Sequence, residues 1–304
     1  MTVWRRNYHL SLGLAMTVRK DGIPTVVFRQ LADYSLGMTG GEKWRKSNFM
    51  LNIQYLKHFF RLSWILAKMK FKLKNEGSYL GVLWYLLNPL LTFLLLFFIF
   101  HDRLGREIEK YPLYLFLGII MFNFFQQVTS ESSWAIKENA GLIKSIAFPR
   151  EALIGAIVIN NLFSHLIELV VFLAIAIIFK GLAVGVIFYF ILLLFFCIFN
   201  FGVGLFLASI SAYFTDLQNI WSFFVRLLWF GTPIFYIIAG QNRLFTINLF
   251  NPMYYFIEIG RNLAVYDQLP ALWLIAGLAG FTLASLIVGF FTFQKLKNKF
   301  AEMI

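Results

Sequence analysis

Long apolar runs separated by short charged stretches set the plan of this 304-residue chain from about residue 79 onward. Six runs are long enough to cross a bilayer as helices: 79–100, 111–133, 150–179, 184–212, 218–238 and 270–293. At 1.5 Å of rise per residue, about 20 apolar residues cover the roughly 30 Å hydrocarbon core. Pro89 falls inside the first run and predicts a kink there. Lys180-Gly181 predicts a tight turn between the third and fourth runs. Residues 239–268 alternate short apolar pieces with Gln241, Asn242, Arg243, Asn248, Glu258, Arg261 and Asp267. No piece there is long enough to cross, so this region reads as re-entrant or interfacial helices. The expected fold is an all-α integral membrane protein with six transmembrane helices.

Two amphipathic stretches flank or interrupt these runs. In 56–74, Lys57, Arg61, Lys68 and Lys72 fall within roughly 60° of one another on a helical wheel. Phe59, Phe60, Leu62, Leu66 and Leu73 cover most of the rest. That is the pattern of a helix lying in the membrane interface; a cytoplasmic helix packed on another domain has nearly the same spacing. In K-E-N-A-G-L-I-K-S-I-A-F-P-R-E (137–151), the stripe Ile136, Ala140, Ile143, Ala147 predicts a helix of about three turns between the second and third runs. Phe148-Pro149 should end it, because a residue before proline disfavours the α region. By amphipathicity alone, a docking helix and an ordinary solvated loop are equally good readings.

Composition sharpens the class. Hydrophobic residues make up 60% of the chain and charged residues 14%, with 37 phenylalanines; mean hydropathy is +0.72. Soluble domains keep about a quarter of their residues charged. The single cysteine, Cys197, excludes an intrachain disulfide, and the four histidines are far apart in sequence. Net charge is +12, with 14 Lys/Arg against 4 Asp/Glu in residues 1–76. Because this basic segment leads straight into a span, membrane lipid rather than nucleic acid is its expected partner. With both ends cytoplasmic, 20 Lys/Arg fall inside and 6 outside, which predicts that orientation. Residues 1–49 are polar and weakly periodic and read as a poorly ordered extension, with the functional chain expected to open at Met50. The remaining divisions are an interface-helix region at 50–78, a six-span domain at 79–293 and a basic C-terminus at 294–304.

No P-loop occurs: G-G-E-K at 40–43 has neither the glycine spacing nor the following Ser/Thr. No G-x-S-x-G, H-E-x-x-H or paired-carboxylate motif occurs either. The chain is therefore passive or driven from outside. An enzymatic alternative, a membrane glycosyltransferase or acyltransferase, would rest on Asp102, Glu107 and Glu109.

Five motifs in order carry a resemblance: E-G-S-Y-L-G-V-L-W-Y-L-L-N-P-L (76–90), N-A-G-L-I-K-S-I-A-F-P-R-E (139–151), Y-F-T-D-L (213–217), T-P-I-F-Y (232–236) and N-P-M (251–253). Over residues 50–304 the chain resembles the membrane subunit of bacterial ABC exporters for O-antigen, capsule and teichoic acid. The resemblance implies a homodimer with one separate ATPase subunit per copy, ATP and Mg bound on that partner, and no cofactor in this chain. It implies that Asn139, Leu142, Ile143 and Lys144 contact the ATPase, and that Phe148, Pro149 and Arg150 fix the exit into the third span. The implied cargo is polyprenyl-pyrophosphate-linked glycan; a drug or lipid is the alternative. Two positions depart from the family: Thr215 stands where an Arg usually precedes Asp216, and Phe122 replaces a Trp.

Several further residues are candidates for the cargo path. Trp84, Tyr85, Phe122 and Phe125 offer aromatic faces for weak stacking on sugars, or else pack against lipid and core. Asn160, Ser164 and Glu168 recur every fourth residue in the third span, bordered by Asn161 and His165. Intramembrane ionisable groups often mark a pathway; inter-helix hydrogen bonding, or pairing of Glu168 with Arg226, is the alternative. Lys68, Lys70, Lys72 and Lys74 precede the first span and are candidates for receiving a lipid pyrophosphate, or for simple anchoring.

Overall fold

The structure, a computed structural model, describes residues 53–75, 81, 83–104, 108–145, 148–179, 184–238 and 241–300. The extension at 1–49, Ala147, Glu107 and the Lys180-Gly181 turn lie outside them. Among the described residues the chain is all-helical. The helices are α1 (Ile53–Asn75), α2 (Leu83–Leu104), α3 (Tyr111–Glu138), α4 (Ala140–Ser145), α5 (Glu151–Ile178), α6 (Val186–Ser211), α7 (Leu217–Gly231), α8 (Asn242–Asn248), α9 (Pro252–Ala264) and α10 (Leu272–Leu296). A 3-10 turn, Lys297–Lys299, follows.

Five of these helices, α2, α3, α5, α6 and α10, are long and apolar enough to cross a membrane. α3 is the central one: 78% of its apolar window is buried inside the chain, against 17% for α2. The fifth expected run does not form one long helix. α7 has 15 residues, about 22 Å of rise, and stops at Thr232, whose backbone is extended (ψ 136°). Pro233 is the cause, since its ring disfavours the α region at Thr232.

The bundle has two ends. One holds the α3–α5 connection, the start of α7 and the end of α10; Arg150 donates to the Lys297 carbonyl there, and the Tyr213 hydroxyl to that of Leu296. The other holds Lys110, which donates to the Val265 carbonyl at 3.0 Å, and Gly185, whose amide donates to Asp267 at 2.8 Å. The α3–α5 connection, residues 139–150, is the handle, and the two ends are the handle end and the arginine end, the latter named for Arg261.

α1 divides into three sectors. Tyr55, His58, Phe59, Leu62, Ser63 and Ala67 are buried, largely against α5. Phe60 and Trp64 are exposed on a second sector. Lys57, Arg61, Lys68 and Lys72 are exposed on a third. The expected broad apolar face is thus split between a protein contact and an uncovered strip beside the charges.

α6 and α10 run together along a glycine seam. A Cβ at Gly202 would lie 2.6 Å from the Ser285 carbonyl oxygen, and one at Gly289 would strike the Gly202 carbonyl oxygen. Small residues let membrane helices approach this closely. Gly202→Leu should therefore force the pair apart, at about 1–3 kcal/mol or more for overpacking. The expected outcome is loss of the monodisperse peak when detergent extracts are run on size-exclusion chromatography; an unchanged peak would show that the seam is not tight.

Candidate functional site

The handle is built at a helix break. α3 ends at Glu138 because Asn139 intervenes: its side-chain amide donates to the Ala135 carbonyl at 2.8 Å, the acceptor its own backbone N–H uses at 3.3 Å. Such back-bonding competes with helix continuation. The Asn139 carbonyl then accepts from Ile143 N at 3.0 Å and starts α4. The result is a six-residue helix, shorter than the three turns expected, and Ile136 belongs to the preceding helix. The periodicity ran on unbroken through Asn139 while the backbone did not.

Leu142 and Ile143 are buried in the chain's own core, whereas Lys144 is exposed and Asn139 half-buried. The four residues therefore divide. The two apolar ones anchor the handle to the bundle, and the two polar ones face outward or stand at its edge. Pro149 is buried, Phe148 half-buried, and Arg150 reaches the Lys297 carbonyl and the Phe300 ring, 5.9 Å from its centroid.

Next to Arg150 is a group that the motifs did not single out. Glu151, 1% exposed, opens α5. Its carboxylate accepts from the Tyr55 hydroxyl at 3.2 Å, from Gln294 Nε2 at 2.8 Å and from Lys297 Nζ at 3.1 Å. One carboxylate thus ties α1, α5 and the end of α10 beside the handle. Burial, then the neighbouring carboxylate, push the Tyr55 hydroxyl far up from its ordinary value, which keeps it a proton donor. Burial lowers the Arg150 guanidinium, and Glu151 opposes that shift. Sequence separation hides this clamp, because Gln294 and Lys297 lie more than a hundred residues away.

The lysine row is partly paired. Lys70 and Lys74 reach Glu131 at 3.4 and 3.3 Å, and Lys70 also reaches Glu138 at 3.6 Å. Lys68 lies over the Trp64 ring at 5.3 Å and Lys74 over the Tyr85 ring at 4.8 Å. Lys72 is exposed. These partly exposed pairs contribute little to stability, so their arrangement is easily exchanged for another anion.

The aromatic candidates separate into two kinds. Phe122 and Phe125 are core residues: Phe122 meets Trp229 edge-on at 4.9 Å, and Phe125 stacks on Phe199 at 6.1 Å. They line no open wall, because α6, α7 and α9 close over α3. Tyr85 is buried with its ring stacked on Phe71, and Trp84 is exposed. Asn160, Ser164 and Glu168 are all buried. Glu168 stands 3.5 Å from His165 on its own helix, and His165 Nε2 meets the Tyr189 hydroxyl at 2.8 Å. Pairing with Arg226 does not occur; Arg226 is exposed on α7. The Asn160 amide and Ser164 hydroxyl make no hydrogen bond among the described residues.

At the opposite end, Arg261 is fully buried and donates to the carbonyls of Tyr114 (3.3 Å), Pro233 (2.8 Å) and Ile234 (2.9 Å). Its guanidinium lies 3.3 Å from the Tyr114 ring centroid. Asn251 joins in: its side chain caps α9 by accepting from Met253 N at 3.0 Å and donates to the Thr232 hydroxyl at 2.8 Å. The T-P-I-F-Y and N-P-M motifs are therefore one physical unit. For the enzymatic alternative, Asp102 and Glu109 are exposed, and no group of three His, Cys, Asp or Glu side chains suited to a metal occurs among the described residues.

These features define a multi-pass helical membrane protein. The family model for ABC-2 type transporters matches residues 61–264, and the chain belongs to that family, as a transport subunit and not an enzyme. It is 28% identical over 273 residues to the O-antigen export system permease protein RfbA of Klebsiella pneumoniae, covering 84% of this chain and 99% of that one. It is 26% identical over 248 residues to the RfbA permease of Myxococcus xanthus, covering 79% and 94%. It is 24% identical over 222 residues to the polysialic acid transport protein KpsM of Escherichia coli, covering 69% and 83%.

Removing the Glu151 carboxylate should strand Tyr55, Gln294 and Lys297 together. Breaking a buried charged pair costs about 3–5 kcal/mol, reduced here because Lys297 is partly exposed. Glu151→Ala should lower the thermal unfolding midpoint of the detergent-purified chain by several degrees, and Glu151→Gln by less. Equal midpoints for wild type and Glu151→Ala would remove the clamp from the account.

Proposed function

We propose that this chain is the permease subunit of an exporter that carries lipid-linked cell-surface polysaccharide across the bacterial inner membrane. A separate ABC ATPase, carrying ATP and Mg, drives it. The family and the named permease relatives support this reading. The observation that carries the mechanism is the anchored handle. Leu142 and Ile143 fix α4 in the core while Lys144 is exposed, so a push on α4 is delivered to α3 and α5 rather than absorbed by a loose loop.

In this reading the handle end is cytoplasmic, as are both termini, and the chain works as a homodimer. α7 with the segment 232–238 makes a sixth crossing that stops short and turns at Pro233; α8 and α9 are re-entrant. α1 lies in the interface with its uncovered apolar strip in lipid. Residues 1–49 are an extension, 50–78 the interface region, 79–293 the spanning domain and 294–304 a basic tail. ATP binding closes the partner dimer, the handles move with it, and the spans shift between two arrangements. Arg150 and Glu151 transmit that movement to α1 and α10. Lys68, Lys70, Lys72 and Lys74 receive the lipid pyrophosphate at the cytoplasmic surface, which would take Lys70 and Lys74 from Glu131. Trp84 and Tyr85 border that entry, and Asn160, Ser164 and Glu168 offer polar groups further along.

The test is co-expression with the ABC ATPase encoded beside this chain. The wild type should retain the ATPase through affinity purification and restore surface glycan to a strain lacking the permease. Lys144→Glu should lose the ATPase while the chain stays monodisperse. If the intact chain binds no ATPase, or the Lys144→Glu chain binds it undiminished, the handle is not the docking element.

A further inference from the structure

A hollow of about 390 Å3 opens at the arginine end, among α3, α8, α9 and the broken segment after α7. Its size falls within the roughly 300–1,000 Å3 of small-molecule sites. We propose that it is a saccharide pocket, lined by Tyr114, Tyr254, Tyr266, Gln241, Asn242 and Glu258, that takes a mono- or disaccharide unit of the exported glycan at the outer face. This rests on the exporter reading and orientation above.

The lining chemistry selects the ligand. The rings of half-buried Tyr266 and exposed Phe245 offer faces for the C–H side of a pyranose, while Tyr114 and Tyr254, buried against Arg261 and Trp273, form the inner wall. The Gln241 and Asn242 amides both donate and accept, and the Glu258 carboxylate accepts. Such a mixed apolar and hydrogen-bonding lining suits a flat, hydroxyl-rich ring. Charge argues the same way. Glu258 is about a third exposed, and its carboxylate lies 3.8 Å from the Arg261 guanidinium. The acid is thus already balanced from behind, which disfavours an ammonium ligand, while among the described residues no lysine or arginine lines the hollow to hold a phosphate. A neutral polyhydroxyl ligand is what remains.

The wall is also held in place before any ligand arrives. Arg261 binds the Pro233 and Ile234 carbonyls, and the Tyr114 hydroxyl donates to the Tyr236 carbonyl at 2.7 Å. The Tyr254 ring is stacked with Trp273 at 6.5 Å. A rigid wall loses little freedom on binding. The broken helix therefore has a use: its Pro233–Ile238 segment supplies one side of the hollow that a continuous helix would fill.

The test uses the full chain with its ATPase in nanodiscs, and as probe the oligosaccharides released by mild acid from the host's own surface polysaccharide. Saturation-transfer NMR should show them bound to wild type, with affinity about tenfold weaker in Glu258→Gln, the loss of one charged hydrogen bond, and weaker again in Tyr266→Ala. Tyr266→Ala lies at the rim and leaves the Arg261 contacts intact, so it reads the pocket even if Glu258→Gln perturbs folding. Phosphoethanolamine should not compete; competition by it would make the hollow a lipid-headgroup site and overturn the proposal. Export by wild type with no probe bound, or with equal affinity in both variants, overturns the pocket and leaves the exporter standing. Absence of ATP-driven export by the wild-type complex overturns both.

Discussion

A helix that stops within a membrane-spanning fold leaves carbonyls and amides that lipid cannot satisfy, each costing several kcal/mol. α7 stops inside an expected span, at Thr232, and α3 stops at Asn139 where the chain leaves the bundle; the specialised features at each end follow from how the freed groups are satisfied. At Asn139 the side chain itself bonds the Ala135 carbonyl, and Leu142 and Ile143 tuck the next turn into the core. At Thr232 the freed carbonyls of Pro233 and Ile234 are taken by Arg261, and Asn248 donates to that of Gly231 at 3.1 Å. One break produces an accessible handle, the other a hollow.

The two ends are joined through α3 and α5. α3 carries Tyr114 at the arginine end and Glu131, Asn139 and the handle at the other. α5 begins at the Glu151 clamp, where α1 and α10 also meet. One buried carboxylate and two buried apolar side chains thus connect the handle end to α1, α3, α5 and α10. Packed interiors of this kind switch between arrangements rather than deform continuously.

The apolar runs gave span positions to within a few residues: 111–133 became Tyr111–Glu138, and 184–212 became Val186–Ser211. The run at 218–238 hides its break, because apolarity continues past Thr232-Pro233. The proline rule that was applied at Phe148-Pro149 gives the break when applied there too. The handle was legible as an amphipathic stripe, but its length was not, since a seven-residue rhythm passes through Asn139 undisturbed. Glu151 and Arg261 were visible as charges only. Their partners are separated from them by up to 147 residues, and no local pattern shows such pairs. Phe122 and Phe125 illustrate the reverse case: in a chain so rich in phenylalanine, an aromatic ring in a span is no guide to whether it faces cargo or core.

The lone cysteine, Cys197, makes the central claim open to a direct physical test. Cys197→Ser gives a background in which Lys144→Cys is the only thiol in the chain. Short thiol-to-amine cross-linking of membranes containing this variant and the ATPase should join the two subunits at position 144, and a cysteine placed at exposed Phe98 on α2 should not join them. Efficient cross-linking at 98 with none at 144 would contradict the handle and place the ATPase elsewhere on the chain.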